Sequence, residues 1–197
     1  MPIATTTSTT VAATTTTTSP NGLAPTSTEP ATGNGAVAAR LNSLWTAIVR
    51  DELSRAEPLF FPGSVYVRMK TGIITNPASD YASRLVAFFR LDLAAYHSFV
   101  GGAATRATLI GVRVAPGTAQ WIAPGACENH FGYWHLPNVR LVFSSGGAVR
   151  SFAVASLISW RGEWYVVHLG PNPRPYNIGT VALPATGAGT PGPGGGC

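Results

Sequence analysis

VRLVFSSGGAVRSFAVASLISWRGEWYVVHL, residues 139–169, decides the fold. Three runs alternate apolar with small or polar residues at a period of two, and the dipeptides Gly146-Gly147 and Arg161-Gly162 separate them as two-residue hairpin turns. The first turn sets Ser145 opposite Ala148, and so Phe143 opposite Arg150, Leu141 opposite Phe152 and Val139 opposite Val154. The second sets Trp160 opposite Glu163, Ile158 opposite Tyr165, Ser156 opposite Val167 and Val154 opposite Leu169. Both registers put Val139, Leu141, Phe143, Phe152, Val154, Ile158, Trp160, Tyr165, Val167 and Leu169 on one face of a three-stranded sheet. The other face takes Arg140, Ser151, Ala155, Leu157, Trp164 and His168 among others, a mixture too apolar to stay wet. Its cover is either the Pro-rich run 171–175 or a second copy of the domain, which would make a homodimer through this outer sheet face.

Working outward, the alternation predicts further strands over 108–114, 119–123, 131–136 and 139–144. Upstream of Gly101-Gly102 the period becomes helical. Val37, Leu41, Leu44, Trp45, Ile48 and Leu53 give one helix within 35–60, closed by Pro58. Asn76 as cap, Pro77 at the first helical position and the stripe Leu85, Val86, Phe89, Leu93, Tyr96, Val100 give a second. The stretch 61–75 between them reads as a loop or short strand containing Tyr66. Helices followed by a meander define an α+β fold, with two N-terminal helices packed on a curved antiparallel sheet. Residues 35–176 form the single domain. The Thr/Ser/Pro-rich segment 1–34 and the Gly/Pro-rich segment 177–197 read as disordered tails, the first as either a glycosylated stalk or a plain solvated terminus.

Composition narrows the function. Of 197 residues 45% are hydrophobic and only 11% charged, and the net charge of +5 is scattered without a run. Nucleic-acid binding needs a focused basic stripe, so no such partner is predicted. No apolar run reaches the ~18 residues of a membrane span, and no signal-peptide pattern is visible at the first residues.

Three stretches, SFAVASLISWRGEWYVVHLG (151–170), FGYWHLPNVRLVF (131–143) and NPASDYASRLVAFFRLDLAAYH (76–97), resemble a family of actinobacterial exported proteins and lipoproteins to which no chemistry is attached. That resemblance implies an exported, envelope-associated location. More distantly, the order of elements resembles the cystatin-like, cone-shaped roll of nuclear transport factor two, ketosteroid isomerase and SnoaL-type cyclases. In such a roll, ligands sit between helices and sheet, which points to Tyr66, Tyr81, Asp92, Trp134 and Arg150 as pocket residues. The function implied is binding of a small ligand or a protein partner without catalysis. The alternative is an isomerase or cyclase with Asp92 as general base in an apolar cavity.

Asp92 lies at the edge of the second helix's apolar stripe, where a carboxylate must be paired, hydrogen-bonded or shifted in pKa. An ion pair with an arginine is the structural reading and the general base the chemical one. Glu128, His130 and His135 make a poor chelate, because positions 130 and 135 of a strand face opposite ways, so no metal and no other cofactor is predicted. His97 suits a helix C-terminus, and His168 falls opposite Ala155 on the mixed face. The two cysteines, Cys127 and Cys197, allow one disulfide or two free thiols. Leu183 to Gly187 reads LPATG, which resembles a sortase sorting pentapeptide but lacks the apolar span and basic residues that follow one.

Overall fold

The computed structural model describes residues 27–33, 35–102 and 104–193. Helices come first: α1 (Ala36–Arg50), α2 (Leu53–Ala56), α3 (Gly63–Lys70), α4 (Pro77–Asp80), a π-helical segment (Tyr81–Val86) and α5 (Ala87–Val100). The strands β1 (Thr108–Arg113), β2 (Gln120–Ile122), β3 (Tyr133–Ser145), β4 (Ala148–Trp160), β5 (Glu163–His168) and β6 (Ala182–Thr186) then form one antiparallel sheet. The chain is α+β, with its helical layer ahead of the sheet as the periodicities predict.

In α1 the stripe Val37, Leu41, Leu44, Trp45, Ile48 is wholly buried, and left-handed Asp51 (φ 52°) ends the helix. Asn76 caps α4 through its Oδ1, which accepts from the Ser79 N–H at 3.1 Å, with Pro77 in the first turn. Gly101 (φ 102°) stops α5. The stretch expected as a loop or strand is helix α3. Val65 and Met69 stand one turn apart and bury with Tyr66, which ties this short helix to the core. At Gly63 a Cβ would stand 2.7 Å from the Tyr81 ring, so glycine is what lets α3 close on the π-segment.

β3 and β4 pair in one register from Ser145↔Ala148 to His135↔Ile158, as the first hairpin predicts. The outer edge of β3 takes β1 near one end and β2 near the other; that of β4 takes β6 and β5 likewise. The second hairpin holds through Trp160↔Glu163 and Ile158↔Tyr165 and then departs from expectation. Leu157 pairs with Val166, but Ser156 pairs with His168, so Val167 is an extra residue in a β-bulge. Ser156 therefore does not face Val167, and Ala155, not Val154, meets Leu169, donating its N–H to the Leu169 carbonyl at 3.1 Å.

The expected single bulky face is also corrected. Trp45 of α1 lies on Phe143 and Phe152, with ring centroids 5.1 and 6.3 Å away, and Tyr96 and Phe99 of α5 join them. Farther along, Val37, Leu41 and Leu44 of the same helix meet Leu157, Trp164 and Val166, which are of the opposite parity. Between the two halves Asn138 is left-handed (φ 48°), and pairing lapses for Asn138 and Ala155 while the register is kept. One residue is skipped on each strand, so inward and outward positions exchange. Beyond this point Ile158 and Val167 turn away from α1 and line a separate cavity.

The opposite face is covered by the chain itself, so a second copy is not needed to bury it. Arg140 is 3% exposed; it donates to Ser151 Oγ (2.7 Å) and to the Leu183 carbonyl (2.9 Å), with Gly189 packed against its guanidinium. The segment expected as a disordered tail thus contributes β6, which contains most of LPATG, and a strap reaching at least to Pro193, whose carbonyl accepts from Asn138 Nδ2. At the other end the indole N–H groups of Trp134 and Trp164 donate to the carbonyls of Ser27 and Ala31. Most of the expected N-terminal tail, residues 1–26, lies outside the described residues. Among those described, no helix is long and apolar enough to cross a membrane.

Candidate functional site

A cavity of about 630 Å³ opens between the α3 and π-helical wall on one side and β3, β4 and β5 on the other. Met69, Leu85, Ile158 and Val167 supply its apolar lining; Asn129, His135, Ser156 and His168 supply a polar side. Volume and mixed lining are those of a small-molecule site.

The helical wall is locked by charge. Arg84, one turn beyond Asp80, donates to both carboxylate oxygens, at 2.7 Å each. Tyr66 reaches across from α3 and donates its hydroxyl proton to Asp80 Oδ2, while its oxygen accepts from Arg84 at 3.0 Å. These bonds from Arg84 hold the Asp80 carboxyl below its ordinary range despite burial, and the same pair holds Arg84 up. Burial, reinforced by the bond to Asp80, pushes Tyr66 far up, so the phenol stays protonated. The π-segment, with its wider i→i+5 turn, carries Arg84 and Leu85 in the cavity wall.

The bulge builds the opposite wall. Two consecutive residues of β5, Val167 and His168, both reach the cavity, and His168 sits beside its partner Ser156. On the Ser156 side, His135 Nε2 lies 2.8 Å from Ser156 Oγ. Burial lowers both imidazoles to a pKa of about 4; at His168 the nearby positive charges of Arg84 and Arg174, and His135 itself, add to the effect. Both are neutral at neutral pH. His135 is 4% and Asn129 2% exposed, yet among the described residues His135 Nδ1 and Asn129 Oδ1 have no hydrogen-bond partner. Lys70 donates to the Cys127 carbonyl at 3.0 Å, and burial lowers its pKa. Cys127, also in this wall, is disulfide-bonded. The chain's other cysteine, Cys197, lies outside the described residues.

Of the pocket residues expected from the sequence, Tyr66 lines the cavity. Tyr81 stands behind it, ring centroids 5.5 Å apart, and donates to the Phe61 carbonyl at 2.7 Å. Asp92 is elsewhere. It accepts from the N–H groups of Gly170 (2.9 Å) and Thr180 (3.0 Å) and pairs with Arg174, an arrangement that leaves it no approach to the cavity. Burial pushes its carboxyl up while these three partners pull it down. Trp134 packs on Trp121 outside the cavity, and Arg150 covers the Phe99 ring at 4.0 Å, well away from it. His97 Nδ1 meets the Ile48 carbonyl at 2.9 Å. His130 is held by the backbone at Thr71, and among the described residues no three His, Cys, Asp or Glu side chains gather where a metal could sit.

Sequence reading misses His168, Ser156, Asn129 and Arg84. No residue pattern marks the bulge that redirects His168, and Asn129 and Arg84 owe their place to a loop and a π-turn. No protein-family model, curated protein or solved structure matches the chain.

Proposed function

We propose that this protein is a non-enzymatic binding domain that takes a small amphipathic molecule into the cavity between α3 and the bulged end of the sheet. The observation that carries the reading is a cavity of drug-sized volume whose polar wall is assembled by a β-bulge and whose helical wall is fixed by the Tyr66–Asp80–Arg84 bonds. A wall held in place before the ligand arrives reduces the ordering cost of binding. The isomerase alternative draws no support from Asp92, whose carboxylate is occupied by Arg174, Gly170 and Thr180. A disulfide at Cys127 supports the exported or envelope location, since such bonds persist in oxidising compartments.

The test uses N-phenyl-1-naphthylamine, a neutral dye that brightens in apolar cavities. Saturable binding to the full chain is expected, weakened in Val167→Trp, which narrows the cavity, and kept in Tyr176→Ala on the exposed surface. Absence of saturable binding, or equal binding by Val167→Trp, would sink the proposal.

A further inference from the structure

We infer that the cavity selects an amphipathic monocarboxylate, whose anionic head meets the cationic wall of Arg84 and Lys70 while its apolar body lies along Met69, Leu85, Ile158 and Val167. The inference rests on the binding reading above and adds the ligand's charge to it.

A guanidinium presents its N–H donors in a fixed plane, one edge at a time. In Arg84 the Nε and Nη2 edge is spent, on the two Asp80 oxygens and on the Tyr66 hydroxyl. Nη1 has no partner among the described residues, and it is not closed off from solvent as the unpaired atoms of Asn129 and His135 are. Arg84 and Tyr66 line the cavity and Asp80 does not, so the carboxylate is turned away from it and Nη1, on the far edge, is the donor left open. Lys70 stands one helical turn beyond Tyr66 on the same face of α3, next to the Tyr66–Arg84 contact. Its hydrogen bond goes to a neutral carbonyl, that of Cys127, and among the described residues it forms no ion pair. Burial lowers the Lys70 pKa; Glu128 raises it and Arg84 lowers it further, which marks the two cations as neighbours. Glu128 itself is exposed and screened by water. Asp80 balances Arg84 and both cavity histidines are neutral, so the wall is left with the charge of Lys70, half-buried and without a counter-ion. A single carboxylate supplies that counter-ion and accepts from Arg84 Nη1 in charge-assisted bonds, about twice as strong as neutral ones. A neutral acceptor leaves Lys70 uncompensated, a dianion brings a charge with no complement, and an ammonium meets two cations.

Displacement of N-phenyl-1-naphthylamine from the full chain at pH 7 by three probes of one size tests this. 2-Naphthoate carries the charge, 2-naphthamide keeps the shape without it, and 2-naphthylmethylamine reverses it. 2-Naphthoate is expected to displace the dye at about tenfold lower concentration than the amide, the effect of one charge-assisted bond, with the amine weakest of the three. Lys70→Met should narrow the gap between acid and amide to about threefold or less. Arg68→Met, which removes an exposed cation of the same helix that does not line the cavity, should leave the gap as it is. Lys70 is the only lysine of the chain, so bound 2-naphthoate should also slow its acetylation by acetic anhydride relative to the N-terminal amine, a readout that needs no variant to fold. Equal displacement by the amide, an undiminished gap in folded Lys70→Met, or a Lys70 that 2-naphthoate does not protect overturns the carboxylate assignment while leaving the binding reading intact. Failure of the wild-type chain to bind the dye at all overturns both.

Discussion

Asp92 of α5 and Arg174, which lies between β5 and β6, form an ion pair with side chains 3% and 2% exposed, and it fastens the C-terminal segment to the helical layer. Arg174 also donates to the Phe88 carbonyl at 3.1 Å and lies over the Phe88 ring. At Gly170 a Cβ would stand 2.2 Å from the Thr180 carbonyl and 2.8 Å from Asp92, so only glycine permits this closure. Removing one partner leaves a buried charge alone, which costs ~3–5 kcal/mol. Asp92→Ala should lose about that much stability in urea denaturation. Asp92→Asn should keep dye binding within about twofold at temperatures where it is folded, because the carboxylate does not reach the cavity. A variant of full stability that no longer binds would return Asp92 to the site.

The two cavity histidines make stability depend on acid. Their pKa values fall from an ordinary 6.5 to about 4 on folding, so between those values the unfolded chain binds more protons than the native one. Stability is therefore complete above pH 6.5 and drains away as pH falls toward 4, by up to ~3 kcal/mol per histidine. Urea midpoints measured from pH 7.5 to 4.5 should decline over this window. In His135→Phe and His168→Phe the decline should be shallower. An unchanged slope in both variants would show that other groups carry the dependence.

The first hairpin register and the helical stripes were legible because both follow from periodicity and turn chemistry alone. What escaped depends on single backbone departures. Val167 enters as a bulge and Asn138 as a left-handed residue, and neither is announced by its neighbours, yet each changes which side every later residue faces. The expected pocket residues Trp134 and Arg150 do not converge with Tyr66 because they stand at opposite ends of the sheet, Trp134 beside β2 and Arg150 opposite Phe143. The tail was misjudged on composition, since β6 is held by main-chain pairing to β4 and by Arg140, which ask nothing apolar of the segment.

The parity exchange at Asn138 has its own test. An Asn tolerates the left-handed region, whereas a branched side chain there costs ~1–2 kcal/mol. Asn138→Val, which strand propensity would favour in a regular β3, should instead destabilise by about that amount, with Asn138→Gly closer to wild type. Urea unfolding of the three proteins gives the comparison. A stabilised valine variant would mean that β3 runs straight and the two faces do not exchange.

Cys127 joins covalent structure to the cavity. It sits left-handed (φ 52°) and disulfide-bonded between β2 and β3, its carbonyl holds Lys70, and Glu128 and Asn129 follow it into the cavity wall. Its only candidate partner within the chain is Cys197, about 70 residues on, and closing a loop of that length contributes ~4 kcal/mol in the chain-entropy model. Reductant should therefore lower the thermal midpoint of the wild type and weaken dye binding, because the backbone that positions Asn129 loses its tether. Cys127→Ser should start from the lowered midpoint and not respond to reductant. Two titratable thiols in the native wild-type protein, with a midpoint indifferent to reductant, would remove the bond and its hold on the wall.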